Sequence, residues 1–243
     1  TAIENAEEAV YEEKKMEEME VCFLMDRFGY MKLIDKNAYE RNKEAVHNEN
    51  KYVFNCMNTD KICIFTDTGK MHTIKAVDIP LGRFRDKGTP VDNLSNYDSS
   101  QERMLYVAPV GQLRSDRLLF VTKTSMCKLV EGAEFDVAKR TIASTKLADE
   151  DELIFIGSAS EMEQIVLQSH GGCFLRFLTQ EVSTMKKTAL GVRGMKLADD
   201  DYLEHAYLLA GHQEYTISYH DKEYALNKVR LAKRDTKGIK PRI

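Results

Sequence analysis

ICIFTDTGKMHTIKAVDIPLGRFRDKGTPVDNL, residues 62–94, is the stretch that decides the fold. It opens with a β-branched and aromatic run, ICIFTD (62–67), of strand length and strand composition. Thr68-Gly69 supplies a turn, and KMHTI (70–74) resumes the extended texture, so the pair reads as a β-hairpin. A basic, turn-forming segment follows, GRFRDKGTPVDNL (82–94), with Gly88 six residues before Leu94. Glycine permits a positive φ where the chain leaves one strand set for the next. The leucine then anchors the segment back onto the core.

The same order recurs along the chain. Strand-like runs stand at VCFLMD (21–26), LLFVTK (118–123), QIVLQS (164–169) and EYTISY (214–219). Turn signals follow them at Phe28-Gly29, Thr124-Ser125, Gly171-Gly172 and His220-Asp221. The five hairpins therefore start 41, 56, 46 and 50 residues apart, a period that marks a repeat architecture. Direct self-similarity agrees: KLADEDEL (146–153) and KLADDDYL (196–203) match at six positions, 50 residues apart. The basic segment also returns, as VAKRTIASTKL (137–147), MKKTALGVRGMKL (185–197) and LAKRDTKGIKP (231–241). Gly191 precedes Leu197 by six residues, Thr141 takes that place before Leu147, and Gly238 fits the phase again. Short strands at this period imply an all-β protein of four-stranded blades around an axis, with loops offered at regular intervals on a rim.

Composition bounds the alternatives. The chain has 243 residues, 43% hydrophobic and 30% charged, enough to bury a core without disulfides or metals. No apolar run reaches the ~18 residues of a membrane span, and no signal peptide is visible, so a cytoplasmic setting without membrane contact is expected. The chain starts at Thr1 rather than Met and reads as a piece of a longer protein. Its five cysteines form no C-x-x-C and are read as small buried thiols of a reducing compartment. Residues 1–20 hold eight acids and two bases, rich in helix formers, and are read as an acidic helical linker ahead of a β domain over 21–243. The net charge of −4 thus divides into −6 for the linker and +2 for the rest.

Chemistry-bearing constellations are few. Asp149-Glu150-Asp151-Glu152 and Asp199-Asp200-Asp201 lack the spaced ligands and glycine of a calcium loop and read as solvated turns. No histidine pair has zinc spacing, and there is no G-x-S-x-G, P-loop or dinucleotide fingerprint. No catalytic residue, metal or cofactor is expected. The basic segments point instead to a polyanion. The residues expected to contact it are Arg83, Arg85 and Lys87; Lys139 and Arg140; Lys186, Lys187 and Arg193; and Lys233, Arg234 and Lys237, with Arg41 and Lys43 added. Lys32, Lys70, Lys128 and Arg176, inside second strands, either extend the track or guard strand edges. A protein-binding propeller is the competing reading; it predicts weak DNA binding with little salt dependence.

The ordered recurrence of FLMDRFGYMKLI, IFTDTGKMHTI, the Ile-Pro-x-x-Arg of IPLGRF (79–84) and Gly-Val-Arg-Gly-Met-Lys-Leu (191–197) resembles the C-terminal domain of the A subunit of bacterial type IIA topoisomerases, DNA gyrase and topoisomerase IV. The resemblance covers residues 18–243. It implies a β-pinwheel of about five, possibly six, four-stranded blades that exchange strands with their neighbours. It also implies a basic edge that binds and bends double-stranded DNA. The partners it implies are the ATPase subunit, together with the catalytic core of the same subunit. The family's first blade in gyrase carries a glycine- and arginine-rich box. Here that region reads YERNKEAVHNENKYVF (39–54), with Arg41 and Lys43 but no glycine, a departure that favours a topoisomerase IV-like or degenerate gyrase-like domain.

Overall fold

The computed structural model describes residues 17–243. Each of the five hairpins is present: β1 (Glu20–Met25) with β2 (Tyr30–Ile34), β4 (Lys61–Thr66) with β5 (Lys70–Lys75), β8 (Arg117–Thr122) with β9 (Met126–Glu131), β12 (Gln164–Ser169) with β13 (Phe174–Leu178), and β16 (Thr216–Tyr219) with β17 (Lys222–Ala225). A third strand pairs with the first strand of each of the first four hairpins: β3 (Tyr52–Met57), β7 (Met104–Pro109), β11 (Leu153–Ser158) and β15 (Leu203–Leu209).

The fourth strand of a blade comes from farther along the chain. β6 (Thr89–Pro90) follows the second hairpin but pairs with β2 of blade 1. β10 (Thr141–Ala143) follows the third hairpin and pairs with β5 of blade 2, and β14 (Val192–Arg193) follows the fourth and pairs with β9 of blade 3. Blade 4 is closed by a single antiparallel bridge between Phe174 and Ile239. This is the strand exchange of a pinwheel. Three sheets have four strands, the fourth has three plus that bridge, and the fifth is a two-stranded hairpin.

Burial explains why the strand runs are continuously apolar rather than alternating: both faces of a blade are covered. Along β4, Ile62 and Ile64 pack against Phe23, Met31 and Leu33 of blade 1, whereas Cys63 and Phe65 pack against Leu118 and Phe120 of blade 3. Blades 3 and 4 share a core of Leu119, Val121, Ile165 and Leu167, and blades 4 and 5 one of Val166, Phe174 and Leu226. The expected anchors Leu94, Leu147 and Leu197 each pack, half-buried, on one of these cores.

The far face of blade 1 is covered by two short helices, α1 (Lys36–Arg41) and α2 (Lys43–Glu49), whose Ala38 and Val46 meet Cys22, Leu24 and Ile34. Asp35 caps α1, accepting from the Ala38 amide at 2.7 Å. The first blade's box region is thus helical. The helix expected over residues 1–20 lies outside the described residues except at its end, where residues 17–19 carry no regular structure and Glu20 opens β1.

Candidate nucleic-acid interface

The strand order fixes an inside and an outside. β3, β7, β11 and β15 sit at one end of their sheets, and β11 packs against both β7 and β15, so these strands form the hub. β6, β10 and β14 occupy the opposite ends, which places the exchanged segments on the outer rim.

Glycine matters at this rim for a specific reason. Gly88 and Gly191 hold φ of +87° and +103°, and a Cβ on either would stand 2.6 Å from the carbonyl oxygen of Met31 or Cys127. The exchanged segment therefore lies against the backbone of the blade it closes. Thr141 takes the same position in blade 2 as a residue of strand β10, paired with His72.

Arg83, Arg85 and Lys87 are exposed on the segment leading to β6, alternating with half-buried neighbours. Arg83 is partly engaged, its guanidinium 3.2 Å from Asp86, and the Arg83 amide and guanidinium hold the Asp86 carboxyl below its usual range. The Lys87 ammonium lies 4.6 Å from the Tyr30 ring centre. Arg41, at the end of α1, lines one hollow with Arg83 and Arg85, and Lys43 is exposed at the start of α2. Lys139 and Arg140 are exposed ahead of β10, Arg140 donating to the Leu94 carbonyl at 3.2 Å, and Lys139 lines a groove with Lys146 and Lys187 over Ile142 and Ala143. Lys186, Lys233 and Lys237 are exposed.

Three further expected contacts are engaged elsewhere. Lys187 is half-buried, its ammonium 3.3 Å from the Glu134 carbonyl. Arg234 is half-buried and donates to the carbonyls of Glu181 (3.0 Å) and Arg193 (2.7 Å). Arg193 is exposed but forked onto Asp235, which holds the Asp235 carboxyl below its usual range.

Two of the second-strand lysines are neither track nor edge guard. Lys128 is only 1% exposed and donates to the carbonyls of Lys187 (2.8 Å) and Ala189 (2.6 Å). Lys32 is half-buried and donates to the carbonyls of Phe84 and Asp86. Arg176 is likewise turned to protein, donating to the Gln164 side chain (2.6 Å) and the Val229 carbonyl (2.7 Å). Lys70 is exposed.

The acidic turns act as hairpin caps. Asp151 accepts from the Thr124 amide and hydroxyl (3.1 and 2.6 Å), and Asp201 accepts from the Gly171 amide (2.8 Å). Among the described residues no group of three or more His, Cys, Asp or Glu side chains is placed to hold a metal ion, and no helix is long and apolar enough to cross a membrane.

Sequence reasoning did not find the buried polar cluster of blade 2. His72 Nε2 lies 2.9 Å from Glu102, and His72 Nδ1 lies 2.9 Å from the Thr141 hydroxyl of β10. Thr66 also donates to Glu102, at 2.8 Å. Burial would push the Glu102 carboxyl up, but hydrogen bonds from His72, Thr66 and the Asp98 amide outweigh it and hold it below its usual range.

A strand-exchanging propeller with basic side chains on its outer segments is the class this geometry defines. The chain belongs to the family of the DNA gyrase C-terminal domain, beta-propeller, whose model matches residues 60–99, 116–160 and 163–210. It is 25% identical over 236 residues to the A subunit of DNA gyrase from Ureaplasma parvum serovar 3, covering 90% of this chain and 28% of that protein. It is 28% identical over 205 residues to the A subunit of DNA gyrase from Clostridium acetobutylicum, covering 80% of this chain and 25% of that protein. The chain thus spans under a third of the length of these relatives. Its fold is similar to the C-terminal domain of DNA topoisomerase IV, with a TM-score of 0.80 at 22% identity, covering 92% of this chain and 73% of that one. It is also similar to the E. coli ParC C-terminal domain, with a TM-score of 0.71 at 13% identity, covering 92% and 94%.

Proposed function

We propose that this rim holds duplex DNA, and bends it, as a non-catalytic accessory domain of a type IIA topoisomerase. The observation that carries the reading is positional. The exposed bases recur on the exchanged segments of successive blades, so they follow one another along an outer edge. DNA is a dense line of phosphates, and each cation that meets one releases condensed counterions. A curved series of such contacts favours a bent duplex, offsetting an elastic cost of a few kcal/mol. Phosphate contacts position DNA without reading sequence, so binding is largely sequence-independent. In this reading the partners are the ATPase subunit, together with the catalytic core of the same subunit. The setting is cytoplasmic, and strand cleavage belongs to another part of the enzyme.

The test is affinity for linear duplexes of different sequence across a salt series. The slope of log K against log salt is expected to be steep, about −0.9 per phosphate engaged, with little difference between sequences. Negligible binding at low salt overturns the reading in favour of a protein-binding propeller.

A further inference from the structure

The strand position of Lys32 is occupied by His72 in blade 2, Lys128 in blade 3 and Leu175 in blade 4. Each stands one residue after the residue that meets the exchanged segment: Met31, Met71, Cys127 and Phe174. An aliphatic side chain is therefore enough to fill this place in a blade, as Leu175 does at 1% exposure. Burying an ammonium there costs free energy unless polar partners replace its water. In blades 1 and 3 the partners are backbone carbonyls of the exchanged segment itself. They are Phe84 and Asp86 for Lys32, and Lys187 and Ala189 for Lys128, with the Lys186 carbonyl at 3.5 Å. The residues flanking those carbonyls are Arg83, Arg85 and Lys87 in one loop and Lys186 in the other, all exposed.

We propose that Lys32 and Lys128 are positioning residues for the DNA-contacting rim. Each draws the carbonyls of one loop inward and so sets its basic side chains outward toward phosphate. The inference rests on the DNA reading above and adds to it an internal cation that never meets DNA. A flexible loop must be ordered when it binds, and that ordering weakens association; a loop already fixed by an internal ammonium avoids it.

The test uses the chain with K128M, K32M and, as a charge-matched control, K75M at an exposed strand end. Duplex affinity is measured across salt at pH 7 and pH 9. K128M and K32M are each expected to bind at least ten-fold more weakly, with a slope shallower by about one contact, ~0.9, while K75M stays within two-fold of wild type. A purely structural role would leave no pH signature. Burial pulls the Lys128 ammonium down to about 8, with Glu134 the one charge acting against the shift and the Phe120 ring 5.6 Å away. Wild-type affinity should therefore fall from pH 7 to pH 9 toward that of K128M, and K128M should fall by less, since only Lys32 remains to titrate in it.

Should K128M fail to fold, the half-buried position of Lys32 carries the comparison. Tight wild-type binding unchanged in K128M and K32M, or parallel pH profiles of wild type and K128M, overturns the proposal and leaves the DNA reading intact. Absence of wild-type binding at low salt removes both.

Discussion

Blades 1 and 3 place a lysine where blade 2 places a histidine, and the two residue types brace the rim in different ways. Lys32 and Lys128 reach outward to main-chain carbonyls of the exchanged loop, so they hold its backbone whatever side chains it carries. His72 is too short for that. It holds the exchanged strand through one hydroxyl, that of Thr141, and is itself oriented by Glu102. A lysine peg is thus tolerant of sequence in the loop and exacting about burial. A histidine peg needs a particular residue on the strand and a particular carboxylate behind it. The glycine pattern follows the same division. The lysine-braced loops turn into the sheet through Gly88 and Gly191 at positive φ, whereas the histidine-braced one arrives already extended at Thr141.

The largest effect is expected from breaking the histidine arrangement. Glu102→Ala removes the acceptor of His72, Thr66 and the Asp98 amide in a buried place. Loss of one partner of a buried pair costs about 3–5 kcal/mol, to be read from urea denaturation. Glu102→Gln should cost less and should also change the acid limb. The Glu102 carboxyl sits below its usual range in the folded chain, so its stabilising contribution is complete above the unfolded value, about 4.3. It is lost as pH falls through the lower folded value. Wild type should lose stability below about pH 4.3 more steeply than Glu102→Gln; equal slopes would remove Glu102 as the cause.

A middle-sized effect should separate the two kinds of rim turn. Gly191→Ala faces about 1–2 kcal/mol from left-handed backbone alone, and its Cβ meets the Cys127 carbonyl as well. Thr141→Ala, at the equivalent position, faces no such strain and loses the hydrogen bond to His72, about 1 kcal/mol. Equal costs in thermal denaturation would mean that the glycine phase is not what seats the exchanged segments.

Much of this plan was legible because it rests on local rules. Strand texture, turn residues and the glycine-to-leucine spacing each depend on a few consecutive residues, and together they gave five hairpins in register with a known family. The acidic turns read correctly as turns, although not as caps, since Asp151 meets Thr124 from 27 positions away. What escaped was set by partners distant in sequence. Residues 39–54 show in sequence only two basic residues, Arg41 and Lys43, and a lack of glycine, yet the helices over this region bring Ala38 and Val46 onto the open face of blade 1. Lys128 looked like any surface lysine because its long stem carries no sign of where its ammonium ends. His72 and Glu102 are 30 residues apart, and nothing local couples them.

The smallest expected effect concerns which rim cations are free. Lys186, Lys233 and Lys237 are exposed, whereas Arg83 and Arg193 are exposed yet lean on Asp86 and Asp235. An exposed ion pair is weak because solvent screens it, so phosphate can compete with the carboxylate. Neutralising that carboxylate should then strengthen DNA binding rather than weaken it. Asp235→Asn is expected to tighten duplex binding by up to about five-fold, most visibly at low salt, where screening is least. Glu152→Gln is the control. Glu152 pairs with Lys123, outside the exchanged segments, and its replacement removes the same charge from the chain. Tightening confined to Asp235→Asn would place Arg193 on the path of the DNA. Equal tightening in both variants would reduce the effect to net charge, and no change in either would take Arg193 off the track.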